Sequence, residues 1–126
     1  MTTVLVVDDE ALIAMALEAA LEDAGYRVAT AANGRQGLER LAEAPRPEIV
    51  LLDMMMPVMN GPAMLAAMAA DPELRGIPVI VLSSLPEEAV RARAGGVAAI
   101  LRKPYTAEQV IGAVERVLGG TREAGT

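Results

Sequence analysis

The strongest constraint in this chain is an alternation. Short apolar runs with no polar break recur between segments whose apolar residues fall at helical spacing. "TVLVVDD" near the start is β-branched, continuous and closed by acids. A run of that kind fits a strand buried on both faces, as in a parallel sheet. "EALIAMALEAALEDAG" follows, with Ile13, Leu17, Leu21 and Ala24 spaced as one helix face and Gly25 as a stop.

The pattern then repeats. "YRVATA" predicts a weaker strand and "RQGLERLAEA" a short helix with Leu38 and Leu41 inward, ended before Pro45. "EIVLLD" predicts a third strand. Residues 60–70 form the next helix, with Met64 and Met68 on one face. "IPVIVLSS" is the fourth strand, 86–94 a short helix with proline in its first turn, and "VAAILRK" a fifth, weaker strand. Thr106 can cap a last helix, with Glu108 and Gln109 close behind and Val110, Ile111, Val114, Val117 and Leu118 as its stripe. Residues 121–126 read as a polar, flexible tail after a domain spanning 1–120.

Five strands alternating with five helices imply an α/β fold, a doubly wound parallel sheet covered on both faces. Its length of 126 residues suits one domain. No Trp or Phe is present and only two Tyr, so Val, Ile, Leu, Ala and Met must build the core. Cys and His are both absent, which excludes disulfides, thiolate or imidazole metal sites and a histidine-based triad. Eleven basic against 17 acidic residues, net charge −6, argue against nucleic acid as partner. The apolar run at Val4–Val7 is too short for a signal peptide or membrane span, so a cytoplasmic protein with no membrane association is expected.

In a doubly wound sheet, ligands bind beyond the carboxyl ends of the strands. Those ends carry Asp8, Asp9 and Glu10 after strand one, Asp53 after strand three, Ser83 and Ser84 after strand four, and Lys103-Pro104 after strand five. Three carboxylates held close either raise a pKa or bind a cation. With oxygen ligands only, Mg2+ is the natural ion, and it would draw phosphate to the same place. Asp53 can attack phosphorus to give an acyl phosphate, Ser83 can donate to a phosphoryl oxygen, and Lys103 can pair with its charge.

"VLVVDDE", "LLDMMMPVMNG", "PVIVLSS" and "KPY" together resemble the receiver domains of two-component response regulators, over essentially the whole chain. The family's motif of Asp, two residues, Met-Pro, one residue, Met, one residue, Gly is matched in full from Asp53 to Gly61. The resemblance implies strand order 2-1-3-4-5 and Asp53 as phosphoacceptor. Asp8, Asp9 and Asp53 would hold Mg2+ together with the backbone carbonyl of Met55. Ser83 takes the switch hydroxyl position, Lys103 contacts the phosphoryl group, and the Lys103–Pro104 peptide is expected to be cis. The implied donor is a histidine kinase or a histidine phosphotransfer protein. Output would pass to a downstream protein through the face of helix four, strand five and helix five. The implied protein is a stand-alone receiver, monomer or weak dimer, that catalyses only its own phosphoryl transfer and dephosphorylation.

Three departures stand out. Ile100 occupies the place where receivers carry a switching Tyr or Phe, so signalling would run through loop and helix-four movement without an aromatic toggle. The segment 83–96, with its paired glycines, looks about two residues short, which predicts a short fourth helix. Met55 and Leu85 stand at two positions that tune hydrolysis in the family. Neither can orient water, so a long-lived phosphoaspartate is expected. The competing functions are a receiver-like binding module that works without phosphorylation, which Ile100 leaves open, and an aspartyl-phosphate phosphatase or mutase. The latter would carry a second acid where Met55 stands.

Overall fold

Strands β1 (Thr3–Val7), β3 (Ile49–Asp53) and β4 (Val79–Ser83) are buried along their whole length, as their unbroken apolar sequences require. β2 (Arg27–Ala31) and β5 (Ala99–Arg102) are only partly covered. The computed structural model describes residues 1–93 and 96–124, the last four by backbone alone. All strand pairs are parallel and the sheet order is β2-β1-β3-β4-β5. The exposed edges thus fall to the two weaker strands, and the apolar runs take the centre.

Helices α1 (Ala11–Asp23), α2 (Gly34–Leu41), α3 (Gly61–Ala70), α4 (Glu87–Arg93) and α5 (Ala107–Ala124) complete the alternation. Successive strand residues point to opposite faces, and the core divides accordingly. Val4, Val6, Ile49, Leu51, Ile80 and Leu82 pack with α1 and α5. Leu5, Val7, Val50, Leu52, Val79 and Val81 pack with Leu41, Met64, Met68 and Val90 of α2, α3 and α4. Methionine fills the space that aromatic rings would take elsewhere.

Local signals explain most helix ends. Asn33 and Asn60 cap α2 and α3, accepting from the backbone N–H of Gln36 and Ala63 at 2.9 Å each. Thr106 Oγ1 accepts from Gln109 N–H while Gln109 Oε1 accepts from Thr106 N–H, a reciprocal capping box at α5. α1 ends as expected at Gly25, whose φ of 97° suits glycine.

The chain departs from the sequence reading in three places. Ala24 is exposed at the end of α1, because the turn at Gly25 takes it out of the packed stripe; Ala14 is buried instead. Ala113 joins the α5 stripe, which turns it further round the helix than the larger residues alone suggest. α5 continues to Ala124, past residue 120 where a tail was expected, since Arg, Glu and Ala carry a helix well. α4 is the shortest helix described, at seven residues. Ala94, its expected end, and Gly95 of the glycine pair lie outside the described residues, as do residues 125 and 126.

Candidate functional site

The carboxyl ends of β1, β3 and β5 converge on a small acidic centre. Asp8 follows Val7, and its backbone N–H continues the ladder to Ala31 O at 3.0 Å. That places the side chain at the sheet's edge, 2% exposed. Asp53 closes β3 and is 6% exposed. Asp9 is exposed, yet one carboxylate oxygen from each of Asp8, Asp9 and Asp53 lies within 4.8 Å of the others. Lys103 Nζ reaches in from beyond β5, 3.5 Å from Asp53 Oδ1 and 3.9 Å from Asp8 Oδ2. The Lys103–Pro104 peptide is cis.

Burial raises the pKa of both inner acids. Lys103 and backbone hydrogen bonds oppose it, from Glu10 at Asp8 and from Met55 at Asp53. Glu10 N–H donates to Asp8 Oδ1 at 2.9 Å. Asp8 Oδ2 is buried with no hydrogen-bond partner. Three carboxylates face one ammonium, and one buried oxygen is unsatisfied: the donor set is hard, anionic and short of positive charge. A divalent oxygen-seeking cation fits that deficit.

Ser83 is buried at the end of β4, and its Oγ accepts from Leu85 N–H at 2.9 Å, so the hydroxyl hydrogen stays available. Its carbonyl accepts from Lys103 N–H at 2.8 Å, tying the lysine's backbone to the serine. Ile100 packs partly buried against the α2–α4 side of the core.

The loop after Asp53 is more tightly built than its sequence suggests. Gly61 N–H donates to Met54 O at 2.9 Å, and a Cβ on Gly61 would meet Asp53 O at 2.7 Å. Met59 N–H donates to Pro57 O at 2.7 Å, closing a three-residue turn around Val58 at φ 66°. Met59 O in turn accepts from Gly34 N–H of α2 at 2.9 Å. Met54 is core, 3% exposed, whereas Met55 is 69% exposed. Sequence reasoning did not find the Gly34 contact or the Val58 strain; the glycine before "RQG" and the glycine after Asn60 were the only local hints. It also missed Tyr105, whose hydroxyl is buried without a partner and whose pKa burial and the nearby acids push up to about 12.

A doubly wound α/β domain with an aspartate at the end of its central strand, flanked by acids and a lysine, has the architecture and acidic centre of a signalling receiver. The chain belongs to the response regulator receiver domain family, which matches residues 4–115. It is 34% identical over 122 residues to protein PilH of Pseudomonas aeruginosa, covering 95% of this chain and all of that one. It is 36% identical to the chemotaxis protein CheY of Thermotoga maritima over 118 residues, 90% of this chain and 95% of CheY. Its structure is similar to the chemotaxis response regulator CheY4 of Vibrio cholerae, with a TM-score of 0.86, 31% identity, and 93% and 98% of the two chains covered. It is thus a receiver of two-component signalling, and a signalling module rather than an enzyme for external substrates. Among the described residues no helix is long and apolar enough to cross a membrane.

Proposed function

We propose that Asp53 is the phosphoacceptor, fed by a histidine kinase or a histidine phosphotransfer protein. One observation carries this reading. Asp53 is a nearly buried carboxylate with Lys103 Nζ at 3.5 Å and two further acids gathered round it. In the transfer, Asp53 oxygen forms a bond to phosphorus, the donor's N–P bond breaks, and the imidazole leaves with the electron pair. Lys103 balances the charge arriving on Asp53, and the free hydrogen of Ser83 is placed to meet a phosphoryl oxygen.

Asp8, Asp9, Asp53 and the Met55 carbonyl would hold Mg2+, which supplies positive charge against the incoming phosphoryl oxygens. Asp8 Oδ2, buried without a hydrogen-bond partner, supports that assignment.

The surface round the site suits a protein donor. Apart from Met1, the exposed large apolar side chains among the described residues are Leu12, Met15, Met55 and Val58. Leu12 and Met15 sit on α1, which follows the acids at the end of β1, and Met55 and Val58 on the loop that follows Asp53. Beside them, an apolar cavity of about 520 Å3 runs between α1 and the β5–α5 connection, lined by Ile13, Leu17, Pro104 and Tyr105. Output passes through the α4, β5 and α5 face. The Ser83–Lys103 backbone bond supports this, because it lets movement at the hydroxyl reach β5 directly. With Ile100 packed in the core, that movement involves loops and α4 rather than an aromatic side chain.

Acetyl phosphate or beryllofluoride with Mg2+ tests the reading. We expect a mass or spectroscopic change that Asp53→Asn abolishes, with chemical-shift changes around α4. No uptake would favour a module that binds partners without phosphorylation, a reading that only Ile100 recommends.

A further inference from the structure

Sulfur in this chain is carried by methionine alone, eight residues with no cysteine beside them. Their access to solvent differs sharply. Met54, Met64 and Met68 are 3%, 0% and 3% exposed, and Met56 and Met59 pack against the core. Met1, Met15 and Met55 stand out in solvent at 85%, 62% and 69%. A dissolved oxidant that must reach the sulfur atom therefore discriminates among them.

Met55 is the exposed methionine joined directly to the reacting group. Its backbone N–H donates to the Asp53 carboxylate, so its main chain is held while its side chain lies in water. It lines a cavity of about 340 Å3 with Asp9, Met54, Met56, Pro57 and Asn60. Met1 and Met15 lie on other segments, at the start of the chain and on α1.

We propose that Met55 is a peroxide-sensitive modification site whose oxidation shortens the life of the phosphoryl group on Asp53. This rests on the phosphoacceptor reading above. In the oxidation, the peroxide O–O bond breaks and a sulfur lone pair forms the new S–O bond. Sulfur is oxidised to the sulfoxide, and the second peroxide oxygen is reduced and leaves as water. A thioether accepts hydrogen bonds weakly, whereas the sulfoxide oxygen is a polar acceptor on the same flexible stem. Two residues along the chain from Asp53, in the cavity shared with Asp9, it holds water more firmly than the thioether does. Hydrolysis is attack of that water on phosphorus, with cleavage of the phosphorus–oxygen bond to Asp53 and release of inorganic phosphate. Sulfoxides can be reduced enzymatically, so the change is reversible.

The test compares wild type, Met15→Leu and Met55→Leu before and after hydrogen peroxide, with the oxidised positions mapped by peptide mass spectrometry. Each is phosphorylated with acetyl phosphate and Mg2+, freed of donor, and followed for loss of the phosphoryl group. Oxidised wild type and oxidised Met15→Leu should decay several-fold faster than their untreated forms, and Met55→Leu should not respond. Met55→Gln, with an amide oxygen at similar reach, should decay faster without peroxide. The proposal is overturned if wild type with Met55 converted decays at the untreated rate, or if Met55→Leu accelerates as much as wild type. Failure of untreated wild type to take up phosphoryl would instead remove the reading on which the proposal rests.

Discussion

Replacing Val58 by asparagine should stabilise the protein. Val58 holds φ at 66° in the turn closed by Met59 N–H and Pro57 O. An L-residue in that region costs roughly 1–2 kcal/mol, and a β-branched side chain is among the least suited to it. Asparagine is several-fold enriched at positive φ. Little is forfeited, because Val58 is 75% exposed. A quarter of the ~2 kcal/mol for burying a valine is about 0.5 kcal/mol. The net gain is therefore about 1 kcal/mol. With an unfolding entropy near 2.1 cal/mol/K per residue over 126 residues, Tm should rise by about 4 °C. Val58→Gly relieves the same strain but returns about 0.4–1 kcal/mol through the freer unfolded chain, so it should stay close to wild type. Thermal and urea unfolding in chelator provide the assay, with an unchanged urea slope confirming the same two states. A Val58→Asn variant melting at or below wild type would refute the strain argument.

Three further outcomes follow from the geometry. Gly34→Ala should cost about 1–3 kcal/mol in urea unfolding, since its Cβ would meet Met59 Cγ at 2.8 Å and Met59 O at 2.9 Å, while Gly76→Ala, with open space around it, should be neutral or slightly stabilising. Asp53→Asn should raise the metal-free Tm at neutral pH: the folded-state pKa of Asp53 lies above its ordinary 3.8, so its contribution is fully present below 3.8 and is lost as pH rises through the folded value. The advantage of the asparagine variant should thus shrink towards pH 3.8, and a gap that widens on acidification would contradict the burial argument. Met55→Asn should speed phosphoaspartate decay by replacing an apolar side chain with one that binds water, and an unchanged decay curve would show that Met55 shields nothing.

The sheet was legible because its cause is local and repetitive. Unbroken apolar runs at β1, β3 and β4 can be satisfied only by burial on both faces, and the structure seals all three. Site residues were legible for a related reason. A parallel sheet brings the ends of its strands to one edge, so Asp8, Asp53 and Lys103 could be grouped from their places after apolar runs, and they meet there. Ala24 was misplaced and Ala113 passed over because alanine is small enough to lie on either side of a helix, and packing decides which.

From the sequence alone came the strand and helix alternation, the acidic edge and the motif that marks Asp53. Each depends on periodicity or on position relative to a neighbouring element. Tertiary structure alone decided that Gly34 of α2 grips the loop carrying Met55, that Val58 is strained there, and that Asp8 Oδ2 is left without a hydrogen bond. Those features depend on ångström-scale distances between segments far apart in the chain. No local pattern encodes such distances; they appear only once the core has packed.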